Sequence, residues 1–171
     1  MPTEIIGRHQ TVRATKAIAA AGDYAAEDVI SESATAGTAW AFSAIFRHAG
    51  AGGYITQAMA IWQTTALTPR LTLYLFNVTP PTCNLNDNVA NTAPHNTDKA
   101  TFVGQIDLPA MEDLGGCSVA IATTSTTGKL PLWVEPIAAT ADLYAVVVTR
   151  DAITGEVATN ELSIELSLDQ Y

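Results

Sequence analysis

Basic side chains are scarce in this chain of 171 residues. It has 8 Lys and Arg residues against 17 Asp and Glu residues, which gives a formal net charge of −9 at pH 7. Proteins that bind nucleic acids neutralise phosphates with clustered Lys and Arg side chains. The composition therefore predicts that this chain has no nucleic-acid partner.

Charged residues of either sign are also few, at 15%, while hydrophobic residues make up 48% of the chain. The hydrophobic fraction argues against a disordered chain, and the length fits one domain. So few charges cover a large solvated surface poorly, which predicts that part of the surface is buried against other subunits. A monomer rich in Ala and Thr is the alternative.

Long apolar runs are absent as well. The longest apolar stretches have the length of a β-strand, so the sequence predicts neither a transmembrane segment nor a membrane partner. The N-terminus lacks the apolar run of about 7–15 residues that a signal peptide needs, so no secretion signal is expected.

Residues that bind metals are sparse and scattered. Cys83 and Cys117 lack the CxxC spacing of zinc sites, and His9, His48 and His95 lie far apart in the sequence. The two cysteines could be free or joined in a disulfide bond. We therefore expect no metal site and no cofactor.

Catalytic motifs are missing too. The sequence contains no GxSxG, P-loop, GxGxxG or HExxH pattern. Asp107, Glu112 and Asp113 could be considered for acid–base chemistry, but the first is expected at a strand end and the other two in an exposed turn. The sequence predicts no catalytic residues and no enzymatic activity.

Alternation with a period of two recurs along the chain. Trp40, Phe42 and Phe46 fall on one face of the segment 38–47, and Leu and Ile alternate with Glu and Ser over residues 161–168. Residues 71–76 are apolar on both faces, which predicts a strand covered on both sides.

Gly, Pro and Asn separate these segments, and no amphipathic helix is evident beyond one helical turn expected at residues 109–114. The pattern predicts an all-β protein, an antiparallel β-sandwich of about 8–10 strands, of which the jelly roll is one form. Residues 1–16 are expected to form an N-terminal arm, and residues 17–171 a single β-sandwich domain.

Two segments are candidates for contacts with other proteins. Residues 1–16 have a net charge of +2 and the remaining residues −11, so the arm could bind an acidic neighbour, unless it is simply a solvated terminus. Residues 78–100, which we call the Asn-rich loop, are expected to form a long surface loop, and loops of this length often make contacts. The candidate contact residues are Ile5, Ile6, Arg8, Arg13, Asn84, Asn86, Asp87 and Asn88.

Two further sets of residues are candidates for binding a ligand. Residues 84–88 alternate oxygen ligands like the start of a calcium loop, but they lack the glycine and the distal glutamate of that motif. Trp40, Trp62 and Trp133 could form a platform for sugars, although the apolar neighbours of Trp40 and Trp62 favour core packing.

Four segments, at residues 33–40, 68–77, 83–88 and 102–115, resemble small proteins encoded near the major capsid gene in tailed-phage genomes. The resemblance extends over roughly residues 30–150 and includes no motif of known chemistry. It implies a virion structural protein, a capsid decoration protein made in the host bacterial cytoplasm and placed on the capsid surface. The implied partner is the major capsid protein, and a homotrimer is expected.

Two other functions stay open at the level of the sequence. One is a tail, collar or fibre component of the virion, although the coiled-coil and repeat segments frequent in fibres are absent here. The other is a carbohydrate-binding β-sandwich module.

Overall fold

Ten β-strands provide almost all the regular structure of residues 7–80, 82–126 and 129–170, which are the residues that the computed structural model describes. The strands are β1 (Arg8–Ala17), β2 (Trp40–Phe42), β3 (Gly53–Trp62), β4 (Leu71–Phe76), β5 (Phe102–Asp107), β6 (Glu112–Asp113), β7 (Ser118–Thr123), β8 (Leu132–Val134), β9 (Leu143–Thr149) and β10 (Glu161–Gln170). One 3₁₀ turn spans Asn96–Asp98. No helix within these ranges is long and apolar enough to cross a membrane.

The strands form two antiparallel sheets that pack face to face. The six-stranded sheet has the order β1-β10-β3-β7-β6, with β8 pairing beside β7 on β3, and the four-stranded sheet has the order β2-β9-β4-β5. This architecture confirms the predicted all-β sandwich, because alternating side chains give each sheet an apolar face to bury.

The main core lies between the two sheets. Trp40 and Phe42 of the four-stranded sheet and Trp62 of the six-stranded sheet are among its largest buried side chains. The expectation that Trp40 and Trp62 pack in the core is thus confirmed. In β10, the alternate residues Leu162, Ile164, Leu166 and Leu168 are completely buried, as their period of two predicts.

Strand β4 is buried at all six of its positions. Its second face, together with β9, forms a smaller cluster that includes Tyr74, Phe76, Val146 and Val148. The Asn-rich loop covers this cluster through Cys83 and neighbouring residues. The prediction of a strand covered on both sides is confirmed, and the loop is the layer that covers the outer side.

The segment expected as an N-terminal arm is, from Arg8 onward, strand β1. It pairs with β10 from Arg8 opposite Gln170 to Ala17 opposite Glu161 without a register shift. Its Thr and Val residues favour a strand, and Val12 and Ala14 pack against the core. Ile5 and Ile6 lie outside the described residues.

The predicted helical turn at residues 109–114 is wrong. Glu112 and Asp113 form β6 and pair with Val119 and Ser118 of β7. Gly115, at a φ of +84°, reverses the chain, and the Leu114 amide donates to the Cys117 carbonyl across the turn at 2.9 Å. A hairpin therefore replaces the helical turn.

Candidate interaction surfaces

Asp87 lies inside the protein, although the sequence placed it among the surface contact candidates. Its side chain is 1% exposed. The carboxylate accepts hydrogen bonds from the Tyr24 hydroxyl and the Ser31 amide, both at 2.8 Å, and from the Ala21 amide at 3.2 Å. Burial and the neighbouring Asp87 carboxylate raise the pKa of Tyr24. Asp87 thus connects the Asn-rich loop to residues 21–31 and does not belong to the surface.

The three asparagines around Asp87 are also used to shape the loop. The Asn86 side-chain oxygen accepts from the Gly37 amide at 2.9 Å, and the exposed Asn84 donates to the Ala90 carbonyl at 2.7 Å. Asn88 has a φ of 55°, a left-handed conformation that Asn tolerates better than most residues. The Asn84 contact thus fixes the loop internally, while the Asn86 contact joins it to Gly37 outside the loop, and Asn84 is the most exposed of the three.

Two basic residues of β1, Arg13 and Lys16, face acidic partners on the same chain. The Arg13 guanidinium donates to the Glu165 carboxylate across the β1–β10 pair, with the closest nitrogen at 2.7 Å. The Lys16 ammonium lies between the Glu32 carboxylate and the Thr38 carbonyl. The positive charge of this segment is thus partly balanced within the sheet, and Arg8 remains exposed at its start.

The Lys16 contact controls the titration of Glu32. Burial would raise the pKa of Glu32, but hydrogen bonds from Lys16, Ser31 and Thr38 outweigh it and lower the pKa to about 2. Burial also lowers the pKa of Lys16, against the attraction of Glu32. The Lys16 ammonium and the Glu32 carboxylate thus form a salt bridge.

The outer face of the six-stranded sheet is divided into two halves. The half formed by β1 and β10 is polar, with the Arg13–Glu165 pair and a Thr15–Ser163 hydrogen bond of 2.7 Å. The other half, on β3, β7 and the turn after β6, carries apolar side chains although it faces solvent. We call these residues the apolar strip: Met59, Ile61, Leu114, Val119 and Ile121.

Two side chains of the apolar strip are exposed to a degree that is unusual for their size, while Met59, Ile61 and Val119 are half-buried. Ile121 is 41% exposed and Leu114 63% exposed. Met59 lies opposite Ile121, and Ile61 lies opposite Val119, so the side chains form adjacent cross-strand rows. A shallow groove of about 340 Å³ runs beside Leu114, Val119 and Ile121. The strip could receive apolar side chains of another protein.

Trp133 marks a second exposed feature of the same sheet. The side chain on β8 is 48% exposed, in contrast to the buried Trp40 and Trp62. Its ring lies edge-on to Tyr54, with ring centroids 5.0 Å apart and an interplanar angle of 65°. The polar pair Gln57 and Thr123 separates this end of the sheet from the apolar strip.

The candidate metal-binding side chains are dispersed. Within the described ranges, no group of three or more His, Cys, Asp or Glu side chains is arranged to hold a metal ion. Cys83 and Cys117 are both free thiols. Cys83 is buried and donates to Asp98 at 3.2 Å, and burial raises its pKa to about 11.

The carboxylates considered for acid–base chemistry do not converge on one site. Asp107 forms an ion pair with Lys129 and accepts from the Thr72 hydroxyl at 2.9 Å. Burial would raise the pKa of Asp107, but these hydrogen bonds lower it below its usual value. Glu112 and Asp113 are exposed on β6. Asp107 is therefore held as a charged structural partner.

Neither a protein-family model nor a curated protein matches this chain. Among solved structures, a chain titled Desmodium yellow mottle tymovirus aligns over 99% of this chain and 91% of its own length, with 10% sequence identity and a TM-score of 0.32. At this level, the similarity bears on neither the fold nor the function of this chain.

Proposed function

We propose that this chain is a virion structural protein that decorates and stabilises the head shell of a tailed bacteriophage, with the major capsid protein as its partner. The observation that supports this function best is the apolar strip, an exposed hydrophobic face on a rigid β-sandwich. The resemblance of residues 30–150 to proteins encoded beside the major capsid gene points to the same role.

The physical basis is burial of the strip against the shell. The core of a protein interface is depleted in charge and bounded by a polar rim. The apolar strip has a rim of this kind in the polar half of the sheet on one side and in Glu112, which lines the same groove, on the other. Each copy that binds the assembled shell better than free subunits shifts the equilibrium toward the assembled state. Many copies would therefore stabilise the head without any chemical reaction.

The experiment mixes purified protein with undecorated heads and measures the bound fraction by sedimentation. Wild-type protein is expected to bind saturably. Ile121→Glu, which places a charge within the strip, should weaken binding by about tenfold or more. Thr15→Glu is the matched control, because Thr15 is exposed on the polar half of the same sheet, and it should bind like the wild type.

Two outcomes would contradict the proposal. One is the absence of saturable association of the wild-type protein with heads. The other is equal binding of the two variants, which would exclude the strip as the contact. Density for the protein on the tail or collar of the virion would assign it to that part instead.

The oligomeric state proposed with this function is a homotrimer on the capsid surface, formed after synthesis in the bacterial cytoplasm. Sedimentation equilibrium of the free protein gives its mass directly. A mass of one or two chains in solution, together with single copies on the shell, would contradict the trimer. It would not affect the proposed binding by the apolar strip, which the sedimentation assay with heads tests separately.

A further inference from the structure

Trp133 is presented to solvent in a fixed position. A Cβ atom added to Gly52 would lie 2.3 Å from Trp133 Cζ2, so the indole ring rests directly on the glycine backbone. Tyr54 supports the ring from another side in the edge-on contact described above. An exposed aromatic ring that is held on two sides loses little conformational freedom when a ligand stacks on it.

An open groove of about 320 Å³ lies next to this ring. It is lined by Asn77, Val103, Trp133, Glu135 and Pro136. Sites for small molecules have volumes of about 300–1,000 Å³ and combine apolar or aromatic walls with a few polar groups. The lining provides an amide and a carboxylate for hydrogen bonding and contains no Lys or Arg, so an anionic ligand would be disfavoured.

Asn77 provides an independent indication of a ligand. Its backbone amide donates to the Thr101 carbonyl at 3.0 Å, which fixes the residue at the end of β4. Its side-chain oxygen is buried and has no hydrogen-bond partner. Buried polar atoms are nearly always paired, so this unpaired acceptor, on a residue that lines the groove, needs an explanation.

We propose that this groove binds a neutral sugar unit of an oligosaccharide or polysaccharide. The apolar face of the sugar ring stacks on Trp133, and its hydroxyl groups donate to the Asn77 side-chain oxygen and to the Glu135 carboxylate. Because the Asn77 side-chain oxygen is buried in the free protein, the amide has to rotate when the sugar binds so that this oxygen faces the groove. The groove lies at the opposite end of β3 from the apolar strip, so the proposal does not depend on the shell-binding function.

The test is a titration of the purified protein with cellohexaose, chitohexaose, maltohexaose and mannohexaose, with polygalacturonate as the acidic comparison. Tryptophan fluorescence should change saturably with at least one neutral sugar at micromolar to millimolar concentration. Trp40 and Trp62 are buried, so Trp133 is the reporter. Polygalacturonate should leave the fluorescence unchanged.

Variants locate the binding by calorimetry with the sugar that binds. Trp133→Ala should abolish binding, and Asn77→Ala should weaken it by about tenfold, the effect of one hydrogen bond to a hydroxyl group. Asn77→Ala also removes a buried acceptor that has no partner, and such an acceptor is unfavourable in the folded state. The melting temperature of this variant should therefore equal or exceed that of the wild type. Ile121→Ala, which alters the apolar strip, should bind the sugar like the wild type.

Binding of none of the four sugars would overturn the proposal, as would equal sugar binding by the wild type and Trp133→Ala. If no sugar binds and Trp133→Ala instead loses affinity for heads, then Trp133 is a protein contact and the groove is not a sugar site. Loss of head binding by Ile121→Glu with sugar binding intact would support both functions separately.

Discussion

Replacement of Asp87 by alanine should strongly destabilise the protein. The carboxylate is 1% exposed and accepts hydrogen bonds from Tyr24, Ser31 and Ala21. In the Asp87→Ala variant the Tyr24 hydroxyl and the two backbone amides lose this acceptor. The loop and residues 21–31 would lose a major link between them.

The magnitude follows from the number and kind of bonds. A hydrogen bond to a charged group contributes about 1.5–3 kcal/mol, and a buried donor left without its acceptor costs about 1–3 kcal/mol. We expect a loss of about 3–5 kcal/mol for Asp87→Ala. At about 2–4 °C per kcal/mol for a domain of this size, the melting temperature should fall by roughly 10 °C.

Tyr24→Phe is the graded control, because it removes one donor and leaves the carboxylate with its two amide partners. It should cost about 1–2 kcal/mol. Urea denaturation of both variants and of the double mutant gives the coupling energy, and Tyr24→Phe should cost less in the Asp87→Ala background. A loss below about 1 kcal/mol for Asp87→Ala would refute the assignment of Asp87 as a buried anchor.

Three further predictions concern packing, pH and thiol reactivity. Gly37→Ala should lower the free energy of unfolding by about 1–3 kcal/mol in urea denaturation, because the added Cβ would lie 1.9 Å from a backbone oxygen of the Asn-rich loop. Gly116→Ala is the control and should be close to neutral, since its Cβ would have no atom within 4 Å. Equal stability of the two variants would contradict this packing. The Glu32 carboxylate should stabilise the fold above its usual pKa of 4.5, and this contribution should be lost as the pH falls to about 2. Glu32→Gln should therefore reduce the pH dependence of the free energy of unfolding across that interval. An unchanged pH dependence would argue against the ion pair. In the native protein, Cys117 should react with a thiol reagent faster than Cys83, whose burial raises its pKa to about 11, and equal rates would show that the thiol of Cys83 is accessible.

Alternation of side chains was sufficient to predict the sandwich. Each sheet must bury one face, and in β10 and β3 the residues with a period of two are those that point into the core. The apolar character of both faces of β4 also predicted a second covering layer. These features depend on local pattern, which a single sequence contains in full.

Pairing between distant segments could not be predicted in the same way. β1 joins β10 across most of the chain length, and its register is set by the whole of the sheet. The net charge of residues 1–16 suggested a docking arm because the partners of Arg13 and Lys16, namely Glu165 and Glu32, are distant in sequence or lie beyond a turn. A strand with basic side chains and a basic arm have the same composition.

The candidate surfaces show the same limit at the level of single residues. Asp87 and Asn84 belong to one run of turn-forming residues, yet one is buried and the other is exposed. The apolar strip is not evident from the sequence for the opposite reason. Residues 58–62 are apolar on both faces of the strand, a pattern typical of a strand that is buried on both sides.

The exposure of Trp133 depends on a neighbour that carries no side chain. Because Gly52 leaves room for the indole ring to lie on the backbone, Trp133 stays on the outer face of the sheet beside Tyr54. The same residue type is buried at positions 40 and 62, where the strand residues face the core. An exposed tryptophan fixed in this way keeps apolar area in contact with water, which is unfavourable. Contact of the indole ring with a ligand or a partner would remove this area from water.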